Sequence, residues 1–361
     1  MLKSELKMLQ ALPYEIKVAK SKLRIREAIE YFGANSLYVP VSGGIDSTVV
    51  SHLVHQVQKE MNIEKNFIPR VNSNTGNEYP SVLKRARELS DIEVKPYKSF
   101  YDVLREEGYP VASKKTSRML RDLQNPTELN RATRKLYLTG IKRDGTKGTF
   151  KLAKKYLSFI NSPIRCTEKC CFYLKKEPLF KYERKTGRHP FLGTMADEKG
   201  PREQGYLKTG CNAFSQGKSM PIGFWTKTDV LIYVLLNDIK IADVYGDIAL
   251  IKDTKLVPIS KKDVQNLLSK NEYFSLTTTL EKRTGCVACT YGVQFEDKKN
   301  NRFHRLKKIN PKYYNFIING GFIDVDGKWK PKDGLGLWFV LDMMGIDYGN
   351  YEQLKFEDFL L

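Results

Sequence analysis

No run of residues in this sequence is apolar for long enough to cross a bilayer. The opening M-L-K-S-E-L-K-M-L-Q has neither the apolar core nor the small-residue cleavage pattern of a secretory leader. A cytoplasmic protein without membrane partners is therefore expected. Histidine is scarce, at 4 of 361 residues, and none of the four sits in a pattern that marks a general base. The 6 cysteines are too sparse for a small disulfide scaffold, and their spacing suits metal ligation in a reducing compartment. Acidic residues are outnumbered 61 to 41 by Lys and Arg, for a formal charge of +20, which favours an anionic partner with nucleic acid foremost. The 41% of hydrophobic residues suffices for one large core or two domains.

The chain is organised around Y-V-P-V-S-G-G-I-D-S, residues 38–47. Leu37 to Val41 read as a strand, Ser42, Gly43 and Gly44 as a tight turn, and Thr48, Val49, Val50, Leu53 and Val54 as the apolar side of a helix. Glycines let backbone N–H groups approach an anion that a side chain would obstruct. Ser42 and Ser47 add hydroxyls, and the start of the helix adds unpaired amides and a favourable dipole. Phosphate is the natural guest, although the pattern is neither the lysine-containing phosphate loop nor the dinucleotide fingerprint.

Further strands are expected at Phe67–Val71 and Ile92–Pro96, with a helix at Ser81–Leu89 between them. The alternation predicts an α/β fold with a parallel-sheet nucleotide domain, in which ligands collect beyond the carboxyl ends of the strands. A helical segment is expected at 1–36, broken near Pro13, then the nucleotide domain at 37–250. A cysteine-containing helical region at 251–361 includes a terminal helix over 338–345. Within the nucleotide domain, the interval 105–155 holds 14 Lys or Arg against 5 Asp or Glu and reads as a basic insertion along which a polyanion can lie. A solvated basic face is the plain alternative.

Cys170 and Cys171 are adjacent, and Cys286 and Cys289 form C-V-A-C. Thiolates favour zinc or iron–sulfur chemistry over hard cations, and C-x-x-C alone leaves zinc, redox activity and no cofactor open. Cys211, in T-G-C-N-A-F, can be a ligand, a sulfur-activating thiol or core; Cys166 reads as structural.

Together these motifs resemble the phosphoadenylyl-sulfate reductase-like branch of the adenine-nucleotide alpha-hydrolase-like superfamily, over about Tyr38 to Tyr291. They are also similar to the sulfur-transfer component of DNA phosphorothioation systems and to uncharacterised bacterial or phage relatives. The resemblance implies that Val41, Ser42, Gly43, Gly44, Asp46 and Ser47 bind ATP, with Asp46 holding Mg²⁺ and pyrophosphate. N-T-G-N-E-Y-P at 74–80 resembles the second nucleotide motif, which assigns Asn74, Thr75 and Gly76 to the cofactor, although Asn74 stands where an acid is usual. F-L-G-T-M-A-D-E-K-G-P-R at 191–202 resembles the glycine-rich segment, with Gly193 near the nucleotide and Arg202 neutralising oxygen charge. C-C-F-Y-L-K-K-E-P-L resembles the segment whose adjacent cysteines, with a distant C-x-x-C, hold a [4Fe–4S] cluster; Cys170, Cys171, Cys286 and Cys289 are then the ligands.

The implied activity is ATP-dependent adenylation followed by sulfur transfer to DNA or RNA. The implied catalytic residues are Asp46, Arg202 and Cys211, the sulfur donor is of the cysteine desulfurase kind, and components of a DNA-modification complex are partners. Adenylyl-sulfate reduction and a non-enzymatic nucleic-acid-associated role are the alternatives. The reductases of the family use a cysteine in an E-C-G-hydrophobic-His segment, and no cysteine follows Cys289 in this sequence.

Overall fold

The computed structural model describes residues 1–253, 255–320, 322–323, 329–330 and 334–349. The chain forms two compact units, neither contiguous in sequence. Unit 1 comprises Met1–Asn74, Glu78–Lys95 and Glu177–Gly285, and unit 2 comprises Thr75–Asn77, Pro96–Lys176 and Cys286–Leu361.

Unit 1 is built on a four-stranded sheet of order β3-β2-β1-β4, where β1 is Leu37–Pro40, β2 Arg70–Ser73, β3 Ile92–Val94 and β4 His189–Pro190. All three pairings are parallel, with Val39 opposite Arg70, Val71 opposite Ile92 and Leu37 opposite His189. Leu37, Tyr38 and Val39 are all buried, as expected of a central strand covered on both faces. The strand expected at 67–71 forms three residues later. Lys65–Phe67 coils into a 3₁₀ turn, and Pro69, which has no N–H for a ladder, contributes only its carbonyl to Val39 at 2.9 Å.

The helix Ile45–Glu60 turns Val49, Val50, Leu53, Val54 and Val57 inward, all essentially solvent-free. Each such side chain contributes about 1.5–3 kcal/mol of burial free energy, as an upper bound. The N-terminal segment divides at Pro13 into helices Lys3–Gln10 and Tyr14–Phe32, with Pro13 as the N-cap residue of the second. The region expected to be helical from residue 251 overlaps an antiparallel sheet of Ile248–Lys252, Lys255–Pro258 and Leu276–Thr278. Its first two strands, I-A-L-I-K and K-L-V-P, flank a reversal in which Asp253 takes a positive φ of 46°.

Unit 2 is helical, with Phe100–Glu106, Lys114–Gln124, Arg131–Thr139, Arg302–Ile309, Pro311–Ile318 and Leu337–Met343 as its α-helices among the described residues. Phe159, Phe303, Tyr314 and Leu341 are buried in it, and the Tyr109 hydroxyl donates to the Leu335 carbonyl at 2.7 Å. The expected terminal helix at 338–345 is present as Leu337–Met343, starting one residue and ending two residues early, while 351–361 lie outside the described residues. Among the described residues no helix is long and apolar enough to cross a membrane.

Candidate functional site

In unit 1 the chain leaves β1 at Val41, whose N–H bonds the Val71 carbonyl at 2.9 Å, and turns through Ser42–Gly44 into the helix Ile45–Glu60. Gly43 has φ +72°, and a Cβ there would lie 2.0 Å from the Val82 carbonyl oxygen. Both backbone angle and space therefore demand glycine. The Ser47 hydroxyl accepts from the Ser42 N–H at 3.2 Å and donates to the Gly44 carbonyl at 3.0 Å, closing the turn on itself. The N-cap residue Gly44 has no side chain to cap the helix that follows, so the dipole and the Asp46 and Ser47 amides of its first turn are left to an anion.

The surroundings of this loop come from distant parts of the sequence. Gly193 follows β4, the neighbour of β1, and packs so closely that a Cβ would lie 3.0 Å from the Asp46 carbonyl. The Tyr245 hydroxyl accepts from the Ile45 N–H at 3.4 Å and pairs with the Thr284 hydroxyl at 2.5 Å. Lys227 reaches Asp46 at 3.4 Å. Glu198 pairs with Arg202 and, at 3.7 Å, with Arg283. Burial and the neighbouring Arg283 lower the pKa of the Arg202 guanidinium, and Asp46 opposes them. Asp46, Arg202 and Gly193, expected at one site, are thus brought together. Lys227, Arg283, Tyr245 and Thr284 join them unannounced. The sequence signal for Lys227 is slight, a single cation within the mostly apolar stretch 221–236. Lys227 also lines a cavity of about 840 Å³, together with Lys17, Asp197 and Asp229.

The residues expected from the second nucleotide motif divide between the units. Asn74 belongs to unit 1, where its N–H bonds the Val94 carbonyl at 2.9 Å and its amide donates to Glu93 at 3.2 Å. Thr75 and Gly76 belong to unit 2. There the Thr75 hydroxyl accepts the Asn77 N–H at 3.2 Å, and Asn77 holds the C-V-A-C turn. Its carbonyl accepts from Val287 at 2.7 Å and its side-chain oxygen from Ala288 at 3.1 Å.

Cys170, Cys171, Cys286 and Cys289 all lie in unit 2. Cys170 and Cys171 open a helical run that continues as the π-turn Phe172–Lys176. The Cys170 thiol pKa is raised by its hydrogen bond to Cys171, by burial and by the charges of Cys171, Cys289 and Cys286, so the four sulfurs share one electrostatic neighbourhood. The hydrogen bond from Cys170, aided by Lys114 and Lys175, holds the Cys171 thiol below its ordinary value. Burial raises Cys289, whose sulfur accepts the Tyr291 N–H at 3.4 Å. Among the described residues no three His, Cys, Asp or Glu side chains converge on a point suited to one metal ion. Four thiols are a donor set that either a zinc ion or an iron–sulfur cluster takes.

Cys211 lies in unit 1, buried between Tyr206, whose hydroxyl is 3.8 Å from its sulfur, and the Pro221 carbonyl at 3.9 Å. Burial pushes its pKa up to about 11, which makes it a poor nucleophile at neutral pH. Cys166 is buried and pushed up to about 12.

A profile of the phosphoadenosine phosphosulfate reductase domain matches residues 36–291, which include the glycine loop and all six cysteines. No curated protein matches. Among solved structures, the phosphate complex of phosphoadenylyl-sulfate (PAPS) reductase from Candida auris is similar at 13% identity and a TM-score of 0.34, over 67% of this chain and 90% of that one. The matched segment spans well over half of the sequence, and the chain belongs to the phosphoadenosine phosphosulfate reductase domain family.

Proposed function

We propose that this chain is an adenosine-nucleotide enzyme whose Ser42–Ser47 loop holds the phosphates, and that adenylyl sulfate or its 3′-phosphorylated form is its substrate. The carrying observation is that the family match runs through a loop whose uncapped helix start and close glycine backbone suit a phosphate chain. The reaction is a two-electron reduction. A thiolate of an external dithiol attacks the sulfate sulfur, and the sulfur–oxygen bond breaks with its electron pair leaving on the nucleotide phosphate. The second thiol then displaces sulfite and closes the disulfide. The loop amides and Arg202 stabilise the charge that grows on the departing phosphate. Asp46 offers the hard oxygen ligand that Mg²⁺ takes beside substrate phosphates, and Lys227 holds that carboxylate in place.

A second reading has its own support. The complete S-G-G-I-D-S, with an acid in the first helical turn, suits splitting of ATP between its α and β phosphates. An acceptor oxygen on DNA or RNA would be adenylated with release of pyrophosphate, and sulfide, freed from the persulfide of a desulfurase-type donor by an external thiol that becomes a disulfide, would then displace AMP. Incubation with each nucleotide separates the two. Sulfite with AMP or its 3′-phosphorylated form marks the reductase. Pyrophosphate, AMP and a sulfur-bearing polymer mark the transferase. Either way, Asp46→Asn is expected to slow turnover by about 100-fold without moving the unfolding midpoint. Parent-like turnover in that variant would remove Asp46 and the loop reading with it.

We also infer that Cys170, Cys171, Cys286 and Cys289 hold a [4Fe–4S] cluster, which when bound supplies an electron-rich centre beside Lys114 and Lys175. Anaerobic reconstitution is expected to give about four irons and four acid-labile sulfides per chain. Cys286→Ser should lose them, while Cys166→Ser and Cys211→Ser keep them. One zinc without sulfide would replace this assignment.

A further inference from the structure

We propose that a basic hairpin at residues 140–148, with the helices beside it, is a docking surface for a nucleic-acid phosphodiester backbone. Within unit 2, Gly140 ends the helix Arg131–Thr139 in a left-handed cap, and Ile141 pairs with Lys147 in an antiparallel bridge. The Lys142 N–H bonds the Thr146 carbonyl at 2.9 Å, and Gly148 bonds back to the Gly140 carbonyl at 2.8 Å. The hairpin is anchored rather than loose. The Leu152 N–H reaches the Tyr137 carbonyl at 2.8 Å, and Lys115 donates to the Thr149 carbonyl at 2.7 Å while lying 4.3 Å over the Phe150 ring. Lys142, Arg143 and Lys147 are exposed at the tip. The one acid there, Asp144, is engaged with the Thr146 N–H at 3.0 Å and its hydroxyl at 2.7 Å.

The excess of cations over acids, rather than the share of cations left without a carboxylate, sets this interval apart. Of the 14 cations in 105–155, only Arg105, Arg118, Arg121 and Arg131 form ion pairs with described carboxylates. The other ten make none among the described residues. Outside the interval, too, only some cations are neutralised locally, as where Lys22 and Arg26 share Glu60 or Arg70 grips Asp91. The interval carries an excess of nine positive charges, almost half of the chain's +20. Uncompensated cations on a rigid ribbon repel one another, and phosphates spaced along a polymer relieve that repulsion while releasing counterions. Half-exposed Phe150 and Ile141 add apolar surface for sugars and bases. This inference is independent of which nucleotide reaction the enzyme performs.

The test is fluorescence anisotropy of the full chain, without nucleotide substrate, on labelled duplex DNA, single-stranded DNA and single-stranded RNA across a salt series. Binding in the range of about 1–100 µM, falling steeply with salt, is expected. The variant Lys142→Ala/Arg143→Ala/Lys147→Ala should bind at least about 10-fold more weakly and lose about 2–3 units of log–log salt slope. Lys252→Ala/Lys255→Ala, exposed cations on a hairpin of unit 1, controls for net charge and should bind like the parent. Equal losses in both variants would reduce the effect to overall charge. No binding at 50 mM salt, or binding only to phosphatidylserine vesicles, would overturn the proposal outright.

Discussion

Replacing Gly43 by alanine is expected to lower the unfolding free energy of the chain by about 2–5 kcal/mol and to abolish nucleotide binding. Two costs combine. At φ +72° an L-residue is strained, and the new methyl carbon would sit 2.0 Å from the Val82 carbonyl oxygen and 2.9 Å from the Ala86 nitrogen. Both obstacles are backbone of the helix Pro80–Leu89, so no side-chain rotation relieves the overlap. Loop and helix must separate, and the amides that face the phosphates move with the loop. Gly33 supplies the comparison. Its φ is +81° but nothing lies within 4 Å of its added Cβ, so Gly33→Ala should cost only about 1 kcal/mol. Urea unfolding of the two variants settles the matter; equal shifts would show that Gly43 is not held against Val82.

Lys17→Met is expected to cost about 3–5 kcal/mol. The Lys17 ammonium lies 2.8 and 2.9 Å from the two carboxylate oxygens of Asp229, and the side chains are only 6% and 7% exposed. Removing the cation leaves a buried carboxylate without its counter-charge. The double variant Lys17→Met/Asp229→Leu should recover most of the loss, because an apolar pair of similar volume packs without desolvating ions. Recovery stays incomplete by about 1 kcal/mol, since Asp229 also accepts the Thr226 N–H at 2.7 Å in a capping box. That cap begins the helix that positions Lys227 beside Asp46, so the single variant should also weaken nucleotide binding. A Lys17→Met chain that unfolds at the parent's urea midpoint would show that the pair contributes nothing net.

The parts of the fold legible in the sequence were those with local causes. The strand–turn–helix around Ser42–Ser47 follows from apolar periodicity and two glycines. Parallel pairing of β1 with β4 could not be read, because His189–Pro190 is two residues long and carries no strand pattern. The antiparallel sheet near residue 250 was missed because its edge strand Lys255–Pro258 is exposed throughout and shows no buried face. At the site, Asp46 and Gly193 were visible through motifs. Lys227, Arg283, Tyr245 and Thr284 were not, since each joins through tertiary packing of segments some 150 or more residues from the loop. The grouping of Cys170 and Cys171 with Cys286 and Cys289 came from family resemblance alone, as no local rule spans the distance between them.

The interleaving of the two units bears on how the protein emerges from a ribosome. β1 acquires its β4 neighbour only after roughly 150 further residues, an interval of about 8–30 s at ordinary elongation rates. Throughout that time one edge of the nascent sheet offers unpaired N–H and C=O groups to any passing strand. Expression yield should therefore respond to chaperone supply and to slowed translation more than the finished protein's stability would suggest.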